Sequence, residues 1–212
     1  MIERFIAWCR QGWRQRRMQR FYQVMRPAPG SHILDLGGTL DLWSNAPQDL
    51  HVTLFNRKAE IAEGTGGSGK ACRHIDIVEG DICRDLPASG GYDIAFSNSV
   101  LEHVGSCLRQ KQFSEAITRV APAFWIQVPA PIFPIEVHCR VPFWWMMPSS
   151  LRRRWITRWR RQSLFHLSRQ MAGTRPISRR RLRTLFPDAT IATEWCLGIP
   201  KSYYVYRARE EL

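Results

Sequence analysis

The 212-residue sequence has no apolar run of about 18 residues or more, so it predicts no membrane-spanning helix. Its N-terminus is basic but lacks the apolar core and the small-residue cleavage site of a signal peptide. The six cysteines form no C-x-x-C pair, and no His/Cys group has zinc spacing, so no metal is expected. Scattered thiols fit a reducing compartment, and we expect a cytoplasmic protein.

Acidic residues are scarce, with 18 Asp and Glu against 31 Lys and Arg, and the formal net charge is +13. Nearly all of the excess is arginine, which clusters at the N-terminus and between Arg152 and Arg183. Such a surface favours polyanions: nucleic acid, anionic lipid headgroups or phosphorylated substrates. The length and the hydrophobic content of 44% are those of one ordinary globular domain, and the oligomeric state stays open.

Residues 1–26 predict a basic amphipathic helix that precedes a domain of residues 27–212. Apolar residues fall roughly on one face of this helix, and arginines occupy much of the remainder. Two interpretations are open: a helix packed on the domain with solvated arginines, or a helix lying on an anionic membrane surface. Pro27, Pro29 and Gly30 end the helix and begin a turn.

The stretch ILDLGGTLDLW, from Ile33 to Trp43, predicts a buried strand that runs into a glycine turn. A strand that ends in glycine lets a ligand approach main-chain N–H groups with no Cβ in the way. In open α/β sheets, ligands bind at the carboxyl ends of strands where the strand order reverses. We therefore expect the ligand site of the protein at this turn.

Further strands alternate with helical or irregular crossovers, which is the pattern of a parallel α/β sheet. The first five predicted strands span 32–37, 51–56, 75–78, 92–97 and 124–128. Residues 109–120, 149–170 and 178–186 predict helices, the last with Ser178 as its cap. Residues 190–196 and 202–207 predict a final hairpin across Gly198 to Pro200, with the last strand antiparallel.

Residues 59–73 are polar and glycine-rich and predict an exposed loop. Gly64, Gly69 and Lys70 within it have the spacing of a phosphate-binding loop. Position 71 is alanine, however, so no hydroxyl is available for magnesium, and no long apolar helix follows. A nucleoside-triphosphate site is not expected here.

Residues 129–148 contain five prolines and several aromatic residues without a regular period. This composition predicts an ordered irregular segment at the ligand-binding edge of the sheet. Together with the basic helix that follows, residues 129–176 are interpreted as a cap on the acceptor side.

The order of these segments resembles the class I S-adenosylmethionine (SAM)-dependent methyltransferases over roughly Ile33 to Arg207. The resemblance is strongest in ILDLGGT and in YDIAFSNSVLEHVG, from Tyr92 to Gly105. The string SNSVLEHV is typical of the small-molecule methyltransferases of this superfamily. The resemblance implies a Rossmann-like α/β sheet of about seven strands with the last antiparallel, and SAM as the cofactor.

The resemblance also implies a role for each residue of the first turn. Asp35 would orient the amino-acid end of the cofactor, directly or through water. Gly37, Gly38 and Thr39 would bring main-chain N–H groups to the cofactor carboxylate. A plainer alternative is that Asp35 caps the turn, as aspartates often do.

The later strand ends would contact the rest of the cofactor. The family usually has an acidic residue on the ribose hydroxyls, and the candidate here is the uncharged Asn56. Asp81 would accept from the adenine amino group, with Ile82 against the ring, although Asp81 could instead cap a helix. Ser97 and Asn98 would lie beside the reacting methyl group, and Asn98 could alternatively hold a turn.

An oxygen acceptor would need to lose a proton. The candidate catalytic residues are His138, His103 and Glu136, although a lone histidine is more often structural. In an extended chain, the Glu-x-His spacing would place Glu136 and His138 on one face. Arg140 could bind an acidic or phosphorylated acceptor.

These observations predict a methyltransferase for a small-molecule, lipid-linked or glycan acceptor, with the basic helices compatible with a peripheral position at the inner membrane surface. An RNA methyltransferase is the first alternative, but no N-P-P-Y-like tetrapeptide follows the fourth strand and no RNA-binding module is recognisable. The second alternative is a non-catalytic binding protein on a degenerate scaffold, suggested by Asn56 and the short first crossover.

Overall fold

A computed structural model describes residues 2–44, 46–47, 49–57, 74–86, 91–136 and 138–209, with side chains described from residue 12 onward. Its strands are β1 His32–Leu36, β2 His51–Asn56, β3 His74–Glu79, β4 Ile94–Asn98, β5 Ala123–Pro129, β6 Thr190–Cys196 and β7 Ile199–Arg207. Its α-helices are α1 Ile2–Met25, α2 Leu40–Trp43, α3 Cys107–Val120, α4 Ser149–Arg161, α5 Phe165–Gly173 and α6 Arg179–Leu185. Two 3₁₀ helices span Leu101–His103 and Trp144–Met146.

The seven strands form one mixed sheet in the order β3-β2-β1-β4-β5-β7-β6. β1 pairs in parallel with β2 and with β4, β2 pairs in parallel with β3, and β6 and β7 form an antiparallel hairpin. The predicted α/β class, the strand number and the antiparallel ending are confirmed. The chain moves outward from β1 to β3 and then returns to β4, so the strand order reverses between β1 and β4.

The chain divides into two compact units. The first contains residues 1–96, 117–125 and 207–212, and the second contains residues 97–116 and 126–206. The glycine turn after β1 belongs to the first unit, and the segment after β5 belongs to the second.

The core of the first unit explains how α1 is held. Phe21 is fully buried, and its ring contacts Trp43, Phe96 and Trp125 at centroid distances of 6.1, 5.0 and 6.0 Å. These contacts are edge-to-face, an arrangement that aromatic quadrupoles favour. The second half of α1 is therefore packed on its unit, as the first of the two interpretations has it, while the side chains of residues 2–11 lie outside the description.

The basic region predicted as one helix over 149–170 is two helices, α4 and α5, and the single-helix prediction is wrong. Ser163 adopts a left-handed conformation with φ 61°. The N–H of Leu164 donates to the Trp159 carbonyl at 2.9 Å, and the N–H of Ser163 donates to the Arg160 carbonyl at 3.3 Å. This is a Schellman C-cap, which usually carries glycine, so a serine at this position is no recognisable helix-stop signal.

The final hairpin also differs in detail from its prediction. Its turn is Leu197–Gly198 rather than 198–200, and both residues have positive φ, 50° and 75°. Two residues of this kind form the tight turn whose twist matches that of the flanking strands. The cap predicted at Ser178 is confirmed, because its hydroxyl accepts from the Arg181 N–H at 3.2 Å.

The loop predicted over 59–73, with its phosphate-loop spacing, lies outside the described residues. Among the helices that the structure describes, none combines the length and the apolar character needed to cross a bilayer. Within the same described ranges, no group of three or more His, Cys, Asp and Glu side chains is arranged to hold a metal ion.

Candidate functional site

The turn after β1 is built on the buried carboxyl group of Asp35. A Cβ at Gly38 would lie 1.7 Å from the Asp35 Oδ2, a distance that no pair of non-bonded atoms tolerates. Only glycine therefore fits at position 38 while Asp35 keeps its place. Gly37 is needed for a different reason, because its φ of 78° lies in the left-handed region.

The N–H groups of this turn are not equivalent. The N–H of Gly37 donates to the Phe55 carbonyl at 2.8 Å, so it is already engaged within the fold. For the N–H groups of Gly38 and Thr39, no acceptor is found in the described part of the chain. The turn therefore offers two main-chain donors to a carboxylate, rather than the three that the sequence predicted.

Asp35 is fully buried, and its Oδ2 accepts a hydrogen bond from the Trp43 indole N–H at 2.7 Å. The other oxygen, Oδ1, is buried without a hydrogen-bond partner among the described residues. Burial raises the pKa of Asp35 from 3.8 to about 7, and the Trp43 hydrogen bond opposes this shift only in part. A carboxyl group of this kind gains or loses its proton near neutral pH.

Asn56 supports the glycine turn, which sequence reasoning did not predict. Its side chain is buried, and its Nδ2 donates to the Gly38 carbonyl at 3.1 Å. Its Oδ1 accepts from the Arg57 N–H at 2.8 Å. One amide hydrogen and one lone pair remain beyond these two bonds.

Asp81 caps the turn after β3, whereas the plainer interpretation had it cap a helix. Its Oδ1 accepts from the Cys83 N–H at 2.9 Å, and its Oδ2 lies 3.6 Å from the Arg57 guanidinium. Residues 82–85 form turns rather than a helix, and Ile82 is half-buried there. Gly80 directly precedes Asp81. A Cβ at Gly80 would lie 2.4 Å from the Phe55 ring, so this position also requires a residue without a side chain.

In the second unit, the end of β4 is held through the residue that follows it. Ser97 is fully buried and Asn98 is the last residue of the strand. Ser99 has φ 59°, its N–H donates to the Gln127 carbonyl at 2.9 Å, and its hydroxyl donates to the Gln127 Oε1 at 2.7 Å. Sequence reasoning did not single out Ser99 or Gln127, because a single serine carries no pattern.

Glu136 and His138 form a hydrogen-bonded pair. The Glu136 Oε1 lies 2.8 Å from His138 Nδ1, and its Oε2 accepts from the N–H groups of His138 and Cys139 at 2.6 and 2.7 Å. The Arg140 N–H donates to the Glu136 carbonyl at 2.9 Å, so the backbone turns here. The expectation of an extended chain is wrong, because the turn rather than strand alternation brings the two side chains together.

The charge of Glu136 is stabilised despite its burial. Burial acts to raise the pKa of its carboxyl group, but the hydrogen bonds from His138 and Cys139 outweigh it, so the pKa is lowered. An anionic Glu136 accepts the His138 Nδ1–H, so Nε2 is the ring nitrogen of His138 that this bond leaves unused. Arg140 is exposed at this turn, with φ 55°.

His103 has a defined tautomer. The Thr174 hydroxyl donates to the Gln170 carbonyl at 2.8 Å, so it must accept from His103 Nδ1, which lies 3.1 Å away. His103 therefore carries its proton on Nδ1 and presents a lone pair on Nε2. Burial, aided by the charge of His138 and opposed by that of Glu136, lowers the pKa of His103 to about 4, so the ring is neutral at pH 7.

The three predicted catalytic residues lie together. The rings of His103 and His138 meet edge-to-face with centroids 4.8 Å apart, and Glu136 bonds the second of them. The buried Glu102 places its Oε1 3.9 Å from the His103 Nε2, and its carbonyl accepts from the Arg175 N–H at 2.7 Å. Thr174 and Glu102 were missed, because the bonds that position them join residues about 70 positions apart in the chain.

No protein-family model matches the sequence, and no curated protein is significantly similar to it. Solved structures do match. A putative O-methyltransferase from Nostoc punctiforme has a TM-score of 0.57 at 12% identity, with 92% of this chain and 56% of that one covered. The DhpI–SAM–HEP complex has a TM-score of 0.51 at 16% identity, with 83% and 77% covered. The chain shares the Rossmann-like α/β fold of these methyltransferases.

One matching solved structure is described as a different kind of enzyme. A putative Zn-dependent alcohol dehydrogenase from Rhodobacter sphaeroides has a TM-score of 0.54 at 12% identity, with 91% of this chain and 94% of that one covered. The chain spans about half the length of several of the methyltransferases that it matches. At these identities the likeness establishes the fold, and the activity has to be argued from the residues.

Proposed function

We propose that the protein is a SAM-dependent methyltransferase that acts on a small-molecule, lipid-linked or glycan acceptor. The observation that supports it most is the cluster of His103, His138 and Glu136 on a class I methyltransferase fold. The neutral imidazole of His103 beside a His138 that is backed by a carboxylate suits the removal of a proton from an acceptor.

The residues after β1 fit the amino-acid end of SAM. The unengaged N–H groups of Gly38 and Thr39 can hold a carboxylate, and Asp35, buried beneath the turn, would orient that end of the cofactor through the turn that it supports. In this proposal Gly37 shapes the turn instead of binding the cofactor. When bound, SAM supplies an activated methyl group on a sulfonium, which is a strong leaving group.

The other cofactor contacts remain those that the family resemblance implies. Asn56 would meet the ribose with its remaining hydrogen and lone pair, and Asp81 and Ile82 would meet the adenine. Ser97 and Asn98 would lie beside the methyl group. Arg140, exposed beside the Glu136–His138 turn, would bind an acidic or phosphorylated acceptor.

In the proposed reaction, His138 Nε2 would take the proton of an acceptor hydroxyl and so make its oxygen nucleophilic; bound SAM would supply the methyl group, with its neutral thioether as the leaving group. The imidazolium that forms is stabilised by the Glu136 carboxylate through the Nδ1–H bond. The neutral ring of His103 accepts a hydrogen bond at Nε2 and helps to orient the acceptor. The protein otherwise contributes alignment, which is the main requirement of a methyl transfer.

A non-catalytic binding protein is the second candidate, and one observation favours it. The side chains of Asn56 and Asp81, which the family would use for ribose and adenine, are both engaged in bonds within the protein. A scaffold that had lost its cofactor would show such internal bonds.

Calorimetry with SAM tests the proposal against this alternative. We expect binding with a Kd between about 1 µM and 1 mM, the usual range for enzyme substrates. A screen with methyl-labelled SAM across extracted lipids, glycans and RNA then identifies the acceptor. Absence of binding at millimolar SAM would favour the non-catalytic protein, and label in RNA alone would favour the nucleic-acid methyltransferase.

Replacing His138 with alanine is expected to lower kcat by about 100-fold on the acceptor found in that screen, because the proposed base is removed. Glu136→Gln should lower kcat by about 10-fold, because the imidazolium of His138 loses its carboxylate partner. His166→Ala is the matched control, because His166 is an exposed histidine of α5. Equal activity of the His138 and His166 variants would contradict the assignment of the base.

A further inference from the structure

Residues 137–187 contain thirteen arginines and no aspartate or glutamate. This segment of the second unit therefore carries a charge equal to the whole net charge of the chain, +13. In the described ranges, the ion pairs seen for arginine are Arg57 with Asp81 and Arg209 with Asp93, both outside the segment. The positive charge of the segment is consequently not neutralised by acidic residues of its own.

Helix α4 is anchored by one face only. Trp159 is buried, stacks on Trp144 at a centroid distance of 5.2 Å, and packs with Met171 in a small core. Ile156 is packed against this core from the same helix. The remaining faces of α4 are left to solvent.

One exposed stripe of α4 combines apolar and cationic side chains. Leu151, Arg154, Trp155 and Arg158 follow the i, i+3, i+4, i+7 spacing that places residues on one face. Leu151 is 40% exposed and Trp155 is 37% exposed. The stripe therefore presents apolar and cationic side chains together to solvent.

The turn between α4 and α5 also combines exposed apolar side chains with arginines. The Schellman cap at Ser163 ends α4 directly before Leu164 and Phe165, which are 45% and 65% exposed. Arg160 and Arg161 precede them on the last turn of the helix. We name the exposed side chains of residues 151–165 the arginine–apolar surface.

We propose that the arginine–apolar surface binds the interface of an anionic lipid bilayer. Guanidinium groups pair with lipid phosphates, while Leu151, Leu164 and Phe165 enter the boundary between headgroups and acyl chains. Lipid rather than nucleic acid is favoured because leucine side chains gain nothing from phosphates or base edges. Trp155 packs against Trp159 at 5.8 Å instead of standing free to stack on bases, which leaves Phe165 as the exposed aromatic residue of the surface.

Sedimentation of the full-length protein with vesicles tests this proposal, which does not depend on methyl transfer. We expect binding to vesicles of phosphatidylcholine with about one third phosphatidylglycerol to be at least about 10-fold tighter than to phosphatidylcholine alone. Leu164→Ser with Phe165→Ser should weaken the anionic binding about 10-fold by removing the inserted groups. Arg160→Gln with Arg161→Gln should weaken it by about 25-fold, at about 5-fold per charge.

Each variant has a control of the same kind of substitution at exposed positions outside the arginine–apolar surface. Leu108→Ser removes a leucine of α3 that is 65% exposed, as Phe165 is, and Arg84→Gln with Arg119→Gln removes two exposed arginines outside the segment. These controls should bind as the unchanged protein does. The proposal is overturned if anionic vesicles do not bind, or if the Leu164/Phe165 variant binds them fully. Tighter binding to single-stranded RNA, lost only in the arginine variant, would assign the surface to nucleic acid.

Discussion

Replacing Gly38 with alanine should lower the free energy of unfolding by about 4 kcal/mol or more, beyond the usual cost of overpacking. The added Cβ would stand 1.7 Å from the Asp35 Oδ2 and 2.1 Å from its Cγ. Asp35 is fully buried and held by Trp43, so its side chain has no free space to move into. The φ of Gly38 is not positive, so the cost is steric rather than conformational.

A double-mutant cycle isolates this contact. In an Asp35→Ala background the clashing atoms are gone, so Gly38→Ala should cost less than about 1 kcal/mol, and the coupling between the two positions should be large. Gly12→Ala is the control, since nothing lies within 4 Å of a Cβ there. In the interior of α1 that change should stabilise by about 0.5–1 kcal/mol. Guanidinium unfolding measures all four variants, and additive effects at positions 35 and 38 would contradict the packing described.

The second large effect is a pH dependence of stability set by Asp35. The pKa of Asp35 is 3.8 in the unfolded chain and about 7 in the folded protein, so the folded state binds the proton more tightly. The stabilisation is full below about pH 4, is lost as the pH rises to about 7, and changes no further above that. The loss amounts to on the order of 4 kcal/mol across this window, from the difference of the two pKa values.

Asp35→Asn removes the titration and keeps an oxygen for the Trp43 indole. The stability of the unchanged protein minus that of the Asp35→Asn variant should therefore fall as the pH rises from 4 to 7. Denaturant unfolding at several pH values measures this difference. Asp41→Asn, at an exposed aspartate of α2, is the control and should follow the unchanged protein throughout. A difference that stays constant, or that grows with pH, would show that the buried carboxyl group is ionised in the folded state.

Much of the fold followed from local patterns. The strands β1, β2 and β4 and the glycine turn after Asp35 were visible because apolar runs and glycines act within a few residues. The number of strands and the antiparallel ending followed from the family resemblance on ILDLGGT and SNSVLEHV. The break in the basic helix was not visible, because Ser163 occupies a left-handed position where glycine is the usual signal.

What the sequence by itself determined is therefore the list of elements and the chemistry available at their ends: a carboxyl group at β1, an amide at β2, and two histidines with a glutamate after β4 and β5. Only the tertiary structure decided how these groups are engaged. Asn56 holds the Gly38 carbonyl, Gly37 gives its N–H to Phe55, and Thr174 sets the tautomer of His103. The physical reason is distance along the chain, because hydrogen bonds between residues 18 or 71 positions apart leave no periodic trace in the sequence.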